Sequence, residues 1–228
     1  EMPRRPRQTS LAFRTWGGAR LGAGRPPKGK VAELPHAARP RLSGRAPLHV
    51  TVRVVRELAG LRQRGGYADV QWALATQLHR ANFRICHTSI QRDHVHLLVE
   101  ADDATALGNG VRGFLISLGR ALNRRAGRRG RAFVDRYHAA VLATPRQVRN
   151  ALSYVLNNWR KHGAARAAAG LRLDPFSSAM SFAPWASRQV IATGHALRWP
   201  PHGALPVASP QTLSLIHISE PTRRTPIS

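Results

Sequence analysis

Acidic side chains are scarce in this chain: 11 Asp and Glu stand against 36 Lys and Arg over 228 residues, a formal net charge of +25. An excess of that size fits a polyanionic partner, nucleic acid first. A high-GC coding sequence enriches Arg, Ala, Gly and Pro, which accounts for part of the arginine but not for the shortage of acids. The single cysteine, Cys86, excludes an internal disulfide. No apolar run approaches the roughly 18–20 residues that span a bilayer. The basic N-terminus carries no apolar signal core, so a cytoplasmic protein without membrane attachment is expected.

Residues 1–45 are rich in Arg, Pro and Gly and follow neither structural period, as expected of a mobile basic arm. Within them, Gly24-Arg25-Pro26-Pro27-Lys28-Gly29-Lys30 resembles an AT-hook, in which a basic side chain enters a narrow A·T minor groove beside stiff prolines. A solvated basic linker has the same composition, and in either case Arg25 and Lys28 would meet phosphate.

Regular structure is predicted from Leu48, where Leu48, Val50, Val52 and Val54 alternate with His49, Thr51 and Arg53 as in a half-buried strand. Gly65-Gly66 precedes a helix over 67–80 with Val70, Leu74 and Leu78 at spacing four. Strands over 83–90 and 94–100 flank the tight Gln91-Arg92-Asp93 connection and form a hairpin. A helix from Ala104 to about Arg125 carries Leu107, Val111, Leu115, Leu118 and Leu122 on one stripe. Its end and the following loop present Arg120, Arg124, Arg125, Arg128 and Arg129 for phosphate contact. A fourth strand is read over 136–142. Thr144-Pro145 then supplies an N-cap and first helical residue for a helix reaching about His162. The order β-α-β-β-α-β-α suits an α+β domain with a ferredoxin-like antiparallel sheet and an added helix.

Two features of this frame carry chemistry. In Asp93-His94-Val95-His96-Leu97-Leu98-Val99 the two imidazoles, at i and i+2 of a strand, share one side and can hold one divalent cation, while Val95, Leu97 and Val99 face a core. About sixty residues later, the helix over 145–162 has an apolar stripe of Val148, Ala151, Leu152, Val155 and Trp159. Tyr154 and Asn158, four apart, stack about a quarter turn from it. A tyrosine there either covers the core edge or does chemistry. Near a cation that draws charge from phosphate oxygens, a phenol can attack a phosphodiester.

Residues 42–163 resemble the catalytic domain of the single-tyrosine HUH transposases, and more closely the REP-associated tyrosine transposases of bacteria. His94-Val95-His96 matches the family's His-hydrophobe-His element, and Tyr154-Val155-Leu156-Asn157-Asn158 its Tyr-Ile-x-x-Asn helix. Trp159 stands where many relatives have proline. The resemblance implies that Tyr154 is the nucleophile and forms a 5′-phosphotyrosine bond with single-stranded DNA, releasing a 3′-hydroxyl. It further implies that His94 and His96 bind the metal with Asn158 as third ligand, and that the enzyme works beside the nucleoid. Its substrate would be single-stranded or hairpin DNA such as a dispersed repeat, and the protein would act as a monomer or a homodimer.

Two imidazoles and an amide oxygen leave Mg²⁺ or Mn²⁺ with open positions for water and phosphate, nitrogen favouring Mn²⁺ and cellular abundance Mg²⁺, with zinc a third option. A phenol with a pKa near 10 would attack while losing its proton, or as a phenolate supported by the cation and a nearby Arg or Lys, Lys161 among them. Asp93 either orders His94 or simply forms the turn. Tyr67 and Tyr137 are assigned to packing, His49 and His87 to the surface with extension of the polar sheet face as the alternative, Cys86 to a buried inert position, and His138 to a phosphate or structural hydrogen bond. Arg53 joins the DNA-contacting set.

Two other readings share these residues. A rolling-circle initiator or relaxase also pairs histidines with tyrosine, but its nucleophile often precedes them. A non-catalytic nucleic-acid-binding module would need stacking aromatics on the open strand face, where His49, Thr51, Arg53, His94 and His96 stand instead. The chain is thus divided into the arm 1–45, a catalytic domain 46–163 and an extension 164–212. In the tail, Leu213 to Arg223 resembles the translation of a transposon-end adapter from sequencing libraries, so residues 213–228 are expected to be foreign and receive no function.

Overall fold

Alternation, helical period and turn chemistry combine into a four-stranded antiparallel sheet with helices on both faces. A computed structural model of the chain describes residue 42 and residues 46–158, 174–181 and 204–219. The elements are β1 (Leu48–Arg53), α1 (Arg64–Ala75), β2 (Phe83–Ile90), β3 (His94–Ala101), α2 (Ala104–Arg125), β4 (His138–Val141) and α3 (Pro145–Asn157), with a short helix α4 (Leu213–Ser219) in the tail. The sheet order β2-β3-β1-β4, all antiparallel, is the ferredoxin-like arrangement expected from the element order. The AT-hook-like element with Arg25 and Lys28, as well as Trp159 and Lys161, lies outside the described residues.

One face of the sheet carries the main core. Leu48, Val50, Val52 and Val54 of β1 and Val95, Leu97 and Val99 of β3 are buried with Tyr67, Val70 and Leu74 of α1 and with Leu107, Val111, Phe114, Leu118 and Leu122 of α2. Tyr67, 0% exposed, has its phenol pushed up to about 12 by burial, which agrees with a packing role. The opposite face carries a second, separate cluster. There Cys86 and Leu98 meet Val148, Ala151, Leu152, Val155 and Leu156 of α3.

Cys86 reaches that second face through an irregularity in β2. Ile85 pairs with Val99, but His87 pairs with Leu98, so Cys86 is the extra residue of a β-bulge and the strand changes phase there. Burial pushes its thiol above the usual range, with Glu100 adding to the effect.

Helix α1 differs from the pattern-based expectation at both ends. It begins at Arg64, so Gly65-Gly66 lies inside its first turn, and it ends at Ala75, which leaves Leu78 exposed. Close packing explains the glycine at 66: a Cβ there would lie 2.6 Å from the Gly60 carbonyl oxygen and 2.7 Å from Leu61 Cα. Helix α3 starts where the sequence places it. Thr144 accepts from the Gln147 N–H, and the Gln147 side chain accepts from the Thr144 N–H, closing a capping box worth about 1 kcal/mol.

Residues 174–181 cover the free edge of β2. Ser177 bridges Ser89, the Ile90 N–H donates to the Phe176 carbonyl, and Phe176 packs edge-on against Tyr67. Arg62 makes two hydrogen bonds of 2.8 and 2.9 Å to the buried Asp174. Further on, Glu100 accepts from the backbone N–H groups of Gln211 and Thr212, and Leu215 of α4 is buried against the α3 cluster.

His87, read as a surface histidine, is instead 6% exposed, because the phase change at the bulge turns it beneath this cover. Burial lowers its imidazole to about 4, with Glu100 opposing the shift. The folded protein therefore holds His87 neutral while the unfolded chain protonates near 6.5, so its contribution is complete above pH 6.5 and lost as pH falls towards 4. Unfolding free energies measured from pH 7 to pH 4 should show a loss of about 3 kcal/mol that His87→Gln largely removes. An unchanged slope in that variant would reassign the effect.

Candidate nucleic-acid cleavage site

Strand register and one helix bring the chemistry-bearing residues to the face opposite the main core. Thr51 of β1 stands opposite His96 of β3, and Arg53 opposite His94. On the other flank of β1, His138 stands opposite Thr51. The α3 stripe seats that helix on this face and turns Tyr154 towards the strands. The Tyr154 ring lies 5.2 Å from His96 and 5.9 Å from His49, centroid to centroid and edge-on in both cases. His94 and His96 are 4.8 Å apart at nearly a right angle. Tyr154 is partly buried against the α3 cluster, so its phenol is neither lost in a core nor on the far side of the sheet.

Each imidazole is held through Nδ1. His94 Nδ1 lies 2.7 Å from Asp93 Oδ1, and Arg53 donates to the other carboxylate oxygen at 2.7 and 2.9 Å. Burial pushes the Asp93 carboxyl up, but the hydrogen bonds and charges of His94 and Arg53 outweigh this and hold it below the usual range. Asp93 therefore does order His94. His96 Nδ1 lies 3.1 Å from His49 Nε2 and 3.2 Å from Thr51 Oγ1. Burial, and then the charge of His138, lower the His49 imidazole, which favours its neutral form. A neutral His49 can accept the Nδ1–H of His96, fixing the tautomer whose Nε2 lone pair suits a cation.

His49 is thus a member of the site and not the surface residue expected of it. The signal was present in the sequence, since His49, Thr51 and Arg53 alternate on the same strand face, but only the β1–β3 register sets them against His96. His138, exposed on β4, belongs to the same face.

Asn158 caps the end of α3 and is 1% exposed. Both its amide atoms are buried without a hydrogen-bond partner among the described residues. A buried amide with neither end satisfied costs about 1–3 kcal/mol, so its retention asks for a ligand. Among the described residues no three His, Cys, Asp or Glu side chains form a metal cluster. Residues whose chemistry could hold a cation are His94 and His96, their rings 4.8 Å apart, and the unpartnered amide of Asn158 at the end of the helix that carries Tyr154.

The arginines divide. Arg53 lies beside the site, exposed and paired with Asp93. Arg120, Arg124, Arg128 and Arg129 line an open groove at the end of α2 whose lining includes no histidine. Arg125 pairs with Asp69 at 2.6 Å, and Arg128 approaches Glu57 at 3.9 Å. Two residues not singled out in the sequence, Arg56 and Arg92, line a groove with His94. Their spacing carries no signal, because it takes the β2–β3 turn to bring them together.

Among the described residues no helix is long and apolar enough to cross a membrane. No protein-family profile matches the chain, and no curated protein matches it. Among solved structures it is similar to that of a REP-associated tyrosine transposase bound to a REP hairpin, with a TM-score of 0.53 and 15% identity over 77% of this chain and 96% of that one. A bacterial tRNA(His) guanylyltransferase-like protein in complex with GTP is more distant, with a TM-score of 0.37 and 12% identity over 60% of this chain and 70% of that one. The first likeness shows the architecture: this chain has the α+β fold of a REP-associated tyrosine transposase.

Proposed function

We propose that the protein is a metal-dependent single-tyrosine transposase that nicks and rejoins single-stranded or hairpin DNA through a 5′-phosphotyrosine link. The observation that carries this reading is the meeting of Tyr154 and His96, 58 positions apart in the chain, at 5.2 Å across the sheet face. In the reaction Tyr154 Oη bonds to phosphorus, the P–O3′ bond breaks, and the departing 3′-oxygen takes a proton to become a hydroxyl. The link conserves the energy of the phosphodiester, so a 3′-hydroxyl can reverse the attack without a nucleotide cofactor.

A bound Mg²⁺ or Mn²⁺ would supply charge neutralisation and orientation at the phosphate. The protein's own part is to present His94 and His96 in fixed tautomers through Asp93 and His49, and to hold the phenol at the edge of the His96 ring. The REP hairpin named with the structural neighbour makes repeats of that kind a suitable first substrate.

The test is direct. Wild-type protein with Mn²⁺ and an end-labelled hairpin carrying short flanking single strands should give a slow-migrating covalent adduct on a denaturing gel. Products bearing a free 5′-phosphate, with no adduct, would replace tyrosine attack by hydrolysis.

Asn158 can be tested apart from turnover. Asn158→Ala removes no hydrogen bond and improves helix propensity, so chemical denaturation of the metal-free protein should show a change below about 1 kcal/mol. Mn²⁺ affinity by calorimetry should fall by more than about 100-fold, beyond the 10–100-fold cost of losing a group that only orients a ligand. A large stability loss with intact Mn²⁺ binding would make Asn158 a structural residue.

A further inference from the structure

Beyond the histidine pair, the structure contains an open groove of about 620 Å³ walled by Asp93 and His94 on one side and lined by Arg53, Arg56 and Arg92. This volume is that of a small-ligand cleft, about 300–1,000 Å³. A cleft of that size has room for a short stretch of one extended strand. Arg53 is committed to Asp93. Arg56 and Arg92 are exposed, and no carboxylate pairs with either among the described residues.

Their frame is rigid. The Arg92 carbonyl accepts from the Gly60 and Leu61 N–H groups at 2.7 and 3.0 Å, and the Val54 N–H donates to the Asp93 carbonyl at 2.9 Å. Two guanidinium groups carried at a cleft mouth, with no carboxylate paired to either among the described residues, are a ready phosphate site, since guanidinium pairs with phosphate oxygens in bidentate fashion.

The groove also has a continuation. Val134 lines it, while Ala132 and Phe133 line the second basic groove with Arg120, Arg124, Arg128 and Arg129, so the two adjoin across the 132–134 segment. We infer that the Arg56–Arg92 groove holds the backbone phosphates of the single strand that runs to Tyr154, and that the α2 arginines take the strand further on. This rests on the proposed cleavage function for the identity of the strand, but its test needs no cleavage.

The experiment is fluorescence anisotropy with a labelled single-stranded oligonucleotide and the Tyr154→Phe protein, without metal, over a salt series. Adding Arg56→Ala with Arg92→Ala should raise Kd about tenfold and reduce the magnitude of the log Kd against log salt slope by about 1.4, two phosphates at about 0.7 each. Mn²⁺ binding and melting temperature should be unchanged, because both side chains are exposed and neither pairs with a carboxylate among the described residues. Arg64→Ala with Arg112→Ala, which removes the same charge elsewhere, should change Kd less than threefold. Equal losses in the two double variants would reduce the groove to general electrostatics and overturn the inference, as would an unchanged slope. A covalent adduct formed by Tyr154→Phe once Mn²⁺ is added to a parallel sample would sink the proposed nucleophile and leave the groove result standing.

Discussion

Tyr154→Phe should abolish the covalent DNA adduct, a loss of at least about 10³-fold in strand cleavage, while single-strand affinity stays within about twofold of wild type. The variant removes one oxygen and keeps the ring that packs at the edge of His96 and against the α3 cluster. Folding and the groove contacts therefore survive. Only the atom that would bond to phosphorus is gone, so loss of the adduct together with loss of binding would point to a structural tyrosine. An adduct that persists would require another nucleophile. Tyr67 cannot serve, since it is fully buried in the main core.

The second large effect is expected from His96→Ala. Cleavage and tight Mn²⁺ binding should disappear together, the affinity falling by more than about 100-fold, because loss of a ligand outweighs the 10–100-fold cost of losing a group that only orients one. His49→Ala offers the graded comparison, since it removes the partner of His96 Nδ1 at 3.1 Å and leaves all three proposed ligands. Calorimetry with Mn²⁺ on the two proteins, read beside single-turnover cleavage, separates the cases. If His96→Ala loses cleavage but binds Mn²⁺ as tightly as wild type, the imidazole acts otherwise than as a ligand.

Strands β1 and β3 were legible because alternate positions of each are apolar. Leu48 to Val54 and His94 to Val99 each place one apolar set towards α1 and α2, and the period-two pattern survives burial on both faces. Helices α2 and α3 were legible from their stripes and, for α3, from the Thr144-Pro145 start. The first turn of α1 was not, because Gly65-Gly66 signals a break by propensity while close packing against Gly60 and Leu61 demands glycine inside the helix. The bulge at Cys86 was likewise hidden, and with it the burial of His87, since an inserted residue leaves no mark on alternation until the partner strand is known. At the site, the pair of histidines and Tyr154 could be named from spacing within single elements. His49 could be placed on the same face but not against His96, and Arg56 and Arg92 could not be named, because these roles come from register and from a turn that closes on a distant loop.

The division of the apolar interior into two bodies has a mechanical consequence. Helix α3 is fastened by the smaller body, which shares no buried residue with the one that joins α1 and α2 to the sheet. The opening energy of a segment scales with the contacts it alone must surrender. Opening of α3 therefore surrenders only the smaller body's contacts among the described residues, and amide hydrogen exchange should find α3 less protected than β1 and β3, which carry the histidines.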